Sequence, residues 1–525
     1  MTGLLPTAMR EALDKRLGEK PTVVVADPYL AHALRTETGY DGFTDIYTWA
    51  VERCGTHKPN PIDLFWAYKA GLKAIGLPYA RQALPEYNPA EVWDAAQRLG
   101  RDWEEVLRGV SSLQEAQTFW QNLAAHRLIQ KTFELYEKEE PPLWLKALPF
   151  PYRSPKHTRT FWERLKDFLA AYQRYLHRKK LTFSEEALHR LRAIGQTYEG
   201  VIFLHIYGLY PAVAGFLKHA VTCGAEIWSW DVQPLKATLS DIWGSYDTHA
   251  QTFSFPHRRR SVSLYLRATL LEVIEAAAQK IANYLQRRPD ARIAVWCEGE
   301  AAALLRYFLE QAGLGPLLSP ASLTLAEATQ TGRQLISYIS AGMAGQLSEW
   351  PPLEGDFSDP AERWTKALYK IVQQYKSPQS SEAWRFLLRL LQSEAPQDRI
   401  SFSPDTRVYI GRLTQLAGGC YDAVFLVESP AEPLGRWMRP SFWLASLRRK
   451  FSPPEWHQQT AWRLISLLLW GSGEVHLFRR SGHEYLSPLE EFLRNSDLFD
   501  AQNDFAPPEE APPPVINPAP PQPLL

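Results

Sequence analysis

Four short apolar runs that do not alternate with polar residues set the limits on this fold. They are residues 22–26 (TVVVA), 201–206 (VIFLHI), 292–297 (RIAVWC) and 423–427 (AVFLV). A strand with one wet face alternates, whereas a strand buried on both faces reads as a continuous apolar run, as parallel sheets covered by helices require. Weaker candidates are residues 226–230 (EIWSW), 407–410 (RVYI) and 474–478 (EVHLF). Each main run leads into helical periodicity. The clearest case is residues 301–312, where Leu304, Leu305, Phe308 and Leu309 share a face. Strand-then-helix units predict an α/β class with parallel sheets.

The strands fall into two groups separated by long helical blocks. The expected organisation is an α/β domain from residues 1–60 with 196–250, interrupted by a helical insertion over 61–195. A second α/β domain follows from 251–345 with 401–494, interrupted by a helical insertion over 346–400. Residues 495–525 include FAPPEEAPPPVINPAPPQPLL, a Pro-rich tail expected to be disordered or to run as a polyproline linker. At 525 residues the chain exceeds a single core.

Several chemistries lack their residues. A phosphate loop needs glycines ending in Gly-Lys-Ser/Thr, so that backbone N–H groups and the lysine cradle the phosphates. There is no Gly-Lys dipeptide; Gly18-Glu19-Lys20 precedes the first strand, and that strand runs into Asp27-Pro28-Tyr29. After VIFLHI come Tyr207-Gly208-Leu209-Tyr210, with no acidic pair for Mg²⁺. No Glu-x-Lys triplet supports a two-metal nuclease, and the formal variant Gln374-Tyr375-Lys376 sits in an amphipathic helical run. The cysteines, Cys54, Cys223, Cys297 and Cys420, contain no Cys-x-x-Cys pair, which predicts reduced thiols in a cytosolic core and no metal site. His205 is expected to be a core histidine. No catalytic residue and no cofactor is expected, and no apolar run reaches membrane-spanning length.

Formal net charge is zero, so any polyanion site must be local. From Arg153 to Lys180 there are nine Lys/Arg and two acidic residues, interleaved with Phe161, Trp162, Phe168, Tyr172 and Tyr175. Cations with rings suit single-stranded DNA. The competing reading is a solvated helix whose rings, at helical spacing, fill a core. Arg174, Arg178, Lys179 and Lys180 are the candidate contacts here. A second basic run, Arg258, Arg259 and Arg260, precedes a predicted strand and is either a solvated loop or a DNA or partner contact.

The order of segments carries a resemblance. YEGVIFLHIYGLYPAVAGFLKHAVTCGAEIWSWD looks like a strand–helix–strand unit of AddB-type helicase–nuclease subunits. EAAAQKIANYLQRRPDARIAVWCEGEAAALLRYFLEQAGL resembles helicase motif IV. TRVYIGRLTQLAGGCYDAVFLVESPAEPLGRWMRPSFWLASLRRKF resembles the motif V region, HQQTAWRLISLLLWGSGEVHLF the motif VI region, and SPLEEFL the lead into the nuclease domain. The collinear set is similar to the family, although no single motif is specific. The departures are Gln415, Leu416, Ala417 and Gly418 at the charged motif V positions, and a motif VI equivalent lacking its arginine unless Arg463 substitutes.

The resemblance implies two RecA-like, superfamily 1 helicase-like domains with degenerate ATPase motifs and a missing C-terminal nuclease domain. It implies a non-catalytic DNA-binding scaffold in the cytoplasm, part of a bacterial AddAB/RecBCD-like complex acting in recombinational repair. Its partners would be single-stranded or tailed duplex DNA and an AddA-type motor subunit, with Arg412, Thr414 and Gln415 as motif V contacts to DNA. Two alternatives stand beside it. One is a protein-interaction module without DNA contact; the other is the N-terminal part of an active PD-(D/E)XK nuclease.

Overall fold

A computed structural model describes residues 3–76, 88–123, 161, 163–206, 210–230, 250–253, 261–321, 324–353, 357–375, 377–393, 402–427, 451, 453–469, 473–481, 488–495 and 505–506. The class is α/β; the described residues form two sheets in which every strand pair is parallel.

The first sheet contains β1 (Thr22–Val25), β2 (Phe43–Asp45), β3 (Val201–Leu204), β4 (Glu226–Trp230) and β5 (Ala250–Phe253), in the order β2-β1-β3-β4-β5. Its covering helices include α1 (Thr7–Arg16), α2 (Pro28–Thr38) and α3 (Ile46–Arg53). Asp27 caps α2 through the Tyr29 N–H with Pro28 at the first helical position, and Gly39 ends it at φ 67°. Strand β2 has three residues, too short for a run to be visible in sequence.

The second sheet runs β11-β6-β10-β9-β7-β8. Its strands are β6 (Ser261–Arg267), β7 (Ile293–Trp296), β8 (Val408–Gly411), β9 (Ala423–Val427), β10 (Glu474–Arg480) and β11 (Phe505–Ala506). Strands β7 and β9 are buried at every residue, as their unbroken apolar runs require.

Between β2 and β3 the chain leaves the sheet through α4 (Pro61–Ala74), α5 (Pro89–Gly109), α6 (Leu113–Leu123) and α7 (Leu165–Arg178), then returns along α8 (Ser184–Ala193); α9 (Pro211–Thr222) follows β3. An Asn60/Asp63 capping box starts α4. From β6 the second domain continues through α10 (Leu270–Arg287) and, after β7, α11 (Gly299–Gln311). It then leaves the sheet through α12 (Leu325–Ala328), α13 (Gln330–Met343), α14 (Pro360–Val372) and α15 (Ser381–Leu391).

The two helical excursions are not separate. Leu64, Trp93, Phe168, Leu335, Ile371, Phe386 and Leu390 belong to one buried apolar cluster. Trp93 meets Phe386 edge to face at 6.2 Å. Tyr375 Oη donates to Asn88 Oδ1 at 2.7 Å, and Arg389 pairs with Asp94 at 3.0 Å.

Ala187, Leu188 and Leu191 of α8 join the core of the first sheet, while Leu325, Leu335 and Ile339 join the helical layer. Both sheets also share a core: Val24, Leu34, Ile202, Trp296, Leu416, Val424 and Leu477 belong to one buried cluster. The remaining α-helices among the described residues are α16 (Leu413–Leu416), α17 (Pro454–Leu469) and α18 (Pro488–Asn495). No helix among the described residues is long and apolar enough to cross a membrane.

Candidate nucleic-acid interface

Helix α7 divides cleanly. Leu165, Phe168, Leu169, Tyr172 and Leu176 are buried at helical spacing, and Phe161 is buried just before them. Arg174, His177, Arg178, Lys179 and Lys180 are exposed on the opposite side and the following turn. The core therefore takes Phe161, Phe168 and Tyr172, and Tyr175 packs half-buried against it. Phe161, Phe168 and Tyr172 are not available for base stacking, which corrects that part of the single-strand expectation; the side chain of Trp162 lies outside the described residues.

The turn after α7 is a Schellman motif. The Leu181 N–H donates to Leu176 O at 2.9 Å, and the Lys180 N–H to His177 O at 3.0 Å. Lys180 occupies the left-handed position at φ 54°, where glycine is the usual residue and a lysine is strained by about 1–2 kcal/mol. The turn is held from outside: His57 N–H donates to Lys180 O, and Thr182 N–H to His57 O, both at 2.9 Å. This short parallel bridge sets the chain bearing exposed His57 and Lys58 against the turn bearing Lys179 and Lys180.

Arg174, Arg178, Lys179 and Lys180 make no ion pair among the described residues. Among the described residues, Arg174 bonds its own helix, at Ala170 O. Nearby carboxylates have other partners. Glu186 pairs with Arg190 at 2.5 Å and approaches His177 at 3.6 Å. Burial pushes the Asp63 carboxyl up, with the Asn60 N–H and the charge of Lys179 opposing. Lys58 lies 3.5 Å from Glu104, whose charge raises the lysine pKa.

Beneath this edge Arg108 donates twice to Glu185, at 2.8 and 3.2 Å, and its guanidinium lies 4.9 Å from the centroid of the Tyr210 ring. Glu185 is almost fully buried on α8 while Arg108 is on α5, so this pair fixes the helical layer to the first α/β domain. Breaking it would leave a buried charge uncompensated. His189, one turn further along α8, bonds Leu107 O at 2.8 Å, and burial lowers its pKa.

The motif V residues stand elsewhere. Arg412 and Thr414 are exposed where β8 passes into α16, but Gln415 is engaged locally, its Oε1 accepting the Arg412 N–H at 2.8 Å. That bond makes Gln415 a cap for α16 through its amide oxygen. Helix α16 packs on α2, β7, β8 and α17, whereas α7 packs on α4 and α6. The fold thus does not bring the two candidate sets together. Arg258, Arg259 and Arg260 lie outside the described residues. Arg463 on α17 bonds Gln459 at 3.3 Å, and burial lowers its pKa with Tyr210 opposing.

At the carboxyl end of the first sheet, the N-terminus of α2 is the place where a parallel α/β fold presents N–H groups to a phosphate. Here Asp27 Oδ1 takes the Tyr29 N–H at 2.8 Å. Burial pushes this carboxyl up to about 7, with the charge of Asp45 adding to the shift. Asp45 in turn caps α3 through the Tyr47 and Thr48 N–H groups. His205, at the end of β3, is buried at φ 51°, and burial lowers its pKa to about 3. It is a neutral core histidine. No group of His, Cys, Asp and Glu among the described residues has metal-binding geometry.

Sequence reasoning missed His57, Lys58 and the Arg108–Glu185 pair. Arg108 and Glu185 are 77 residues apart, His57 meets Lys180 and Thr182, and Lys58 meets Glu104, so nothing local marks them. No protein-family model matches the chain, and no curated protein matches it.

Proposed function

We propose that this chain is a non-catalytic, helicase-like DNA-binding scaffold that holds DNA by its backbone beside an AddA-type motor subunit during double-strand-break processing. The observation that carries the DNA part is the cationic turn at the end of α7. Four cations without ion-pair partners among the described residues stand on one helix end and turn, one of them in a conformation a lysine adopts only at a cost. The helicase-like part and the motor partner rest on the collinear motif order, with two parallel α/β sheets as the compatible architecture.

With Phe161, Phe168 and Tyr172 in the core, recognition is chiefly by phosphate. Binding is then sequence-tolerant and salt-dependent, without a large stacking contribution. The capped N-terminus of α2 supports the non-catalytic part, because Asp27 puts a carboxyl where a nucleotide phosphate would have to sit. The test is fluorescence anisotropy with a labelled oligo-dT and a tailed duplex at low salt, with and without a motor subunit co-purified from the host. Binding that weakens linearly on a log–log salt plot is expected. Absence of binding under every condition rejects the reading.

A further inference from the structure

The segment before α1 does more than begin the chain. Leu4 is fully buried and Leu5 nearly so, and Met9 on α1 is fully buried with them. Leu4 is bonded on both sides. Its N–H donates to Glu37 Oε2 at 2.8 Å, and its carbonyl accepts the Cys420 N–H at 2.8 Å.

Those partners lie on different domains. Glu37 is on α2 of the first α/β domain, and Cys420 lies on the approach to β9 of the second. Glu37 is itself a junction, since Arg10 approaches it at 3.5 Å and Arg292, just before β7, at 3.8 Å. Arg292 is tied further into the second domain, its N–H donating to Asp422 Oδ2 at 2.8 Å. Helix α2 also packs on α16, and Tyr29 meets Phe402 edge to face at 4.8 Å.

We infer that residues 3–6 form a built-in strap that, with Glu37, fixes the two α/β domains in one relative orientation, so that the molecule works as a rigid body without an opening and closing cycle. Domain closure needs a few hinge residues and an interface that can part. This interface has a continuous apolar core and a strap bonded to both sides. On the far side, the two excursions are joined by the Trp93–Phe386 contact and the Arg389–Asp94 pair, so a hinge motion at the sheets would also have to break the helical layer. The inference is independent of DNA binding and would hold for any partner.

The experiment is hydrogen–deuterium exchange on the full chain, read at the peptides covering residues 3–6 and 418–422. Inter-domain distances are read by pulsed electron spin resonance between labels placed at exposed Glu11 and Gln286. In the unmodified chain both peptides should be protected, with one narrow distance distribution that Mg-ATP or oligo-dT leaves unchanged. Leu4→Asp should speed exchange at 418–422 at least tenfold and broaden the distribution. Glu37→Gln retains an amide oxygen for the Leu4 N–H but loses the charge that attracts Arg10 and Arg292. It should give a smaller change of the same kind, and it keeps the test usable if Leu4→Asp does not fold. Unprotected 418–422 in the unmodified chain, two distance populations, or a shift on adding Mg-ATP would each overturn the inference.

Discussion

The His57 N–H donates to the carbonyl of Lys180 at 2.9 Å, joining the chain after α3 to the left-handed turn after α7. The first α/β domain thereby holds a cationic edge of the helical layer in place, and Lys180 keeps a backbone conformation that glycine would adopt more easily.

That relationship gives a test in which stability and binding separate. Lys180→Gly removes one cation and relieves the left-handed strain. Thermal unfolding should show stability unchanged or raised by up to about 1 kcal/mol. The log–log salt slope for oligo-dT should fall by about 0.7. Reduced binding accompanied by a large loss of stability would mean that the lysine serves the fold.

Asp27 makes stability depend on pH in a defined direction. Its folded pKa of about 7 lies above the unfolded value of 3.8, so its contribution is fully present below 3.8 and is lost as pH rises through 7. Asn caps a helix as well as Asp does and does not ionise. Asp27→Asn should therefore raise Tm at pH 8, by about 1 °C for each kcal/mol relieved in a chain of this size, relative to the same substitution at pH 4. Calorimetry at the two pH values checks this.

His205 works in the opposite sense. Its folded pKa of about 3 lies below the ordinary 6.5, so its contribution is present above 6.5 and is lost as pH falls toward 3. His205→Asn, chosen because Asn tolerates positive φ, should flatten the loss of stability between pH 6.5 and 4. An unchanged acid limb in denaturant titrations would assign that loss to other groups.

The shared helical core predicts that damage to one excursion loosens both. Phe386→Ala removes a buried ring that meets Trp93 across the layer and should cost about 3–5 kcal/mol. Limited proteolysis should then cut within both 61–123 and 324–393. Cutting confined to the second range would show two independent helical units.

Much of the α/β frame was legible because a doubly buried strand has a local signature. The runs at Val201–Leu204, Ile293–Trp296 and Ala423–Val427 needed no knowledge of partners. Phe43–Asp45 was not legible because three residues carry no period. The union of the excursions was also hidden, since Trp93 and Phe386 are far apart in sequence and each looks like an ordinary core residue of its own helix. In the candidate interface, the cations were visible as composition, but the fate of the rings depended on which face of α7 met the core. The left-handed state of Lys180 depended on how the helix ended, and Gln415 became a cap through a bond three residues long.

The most direct test of the DNA-holding claim compares the unmodified chain with Arg178→Glu/Lys179→Glu/Lys180→Glu in oligo-dT anisotropy from about 50 to 200 mM salt, the range over which phosphate contacts weaken steeply. The account predicts that the triple variant, folded by circular dichroism, binds at least tenfold more weakly at the lowest salt and loses about 2 from the magnitude of its slope, at roughly 0.7 per single-strand phosphate contact. Equal affinity and equal slope for the two proteins would contradict it.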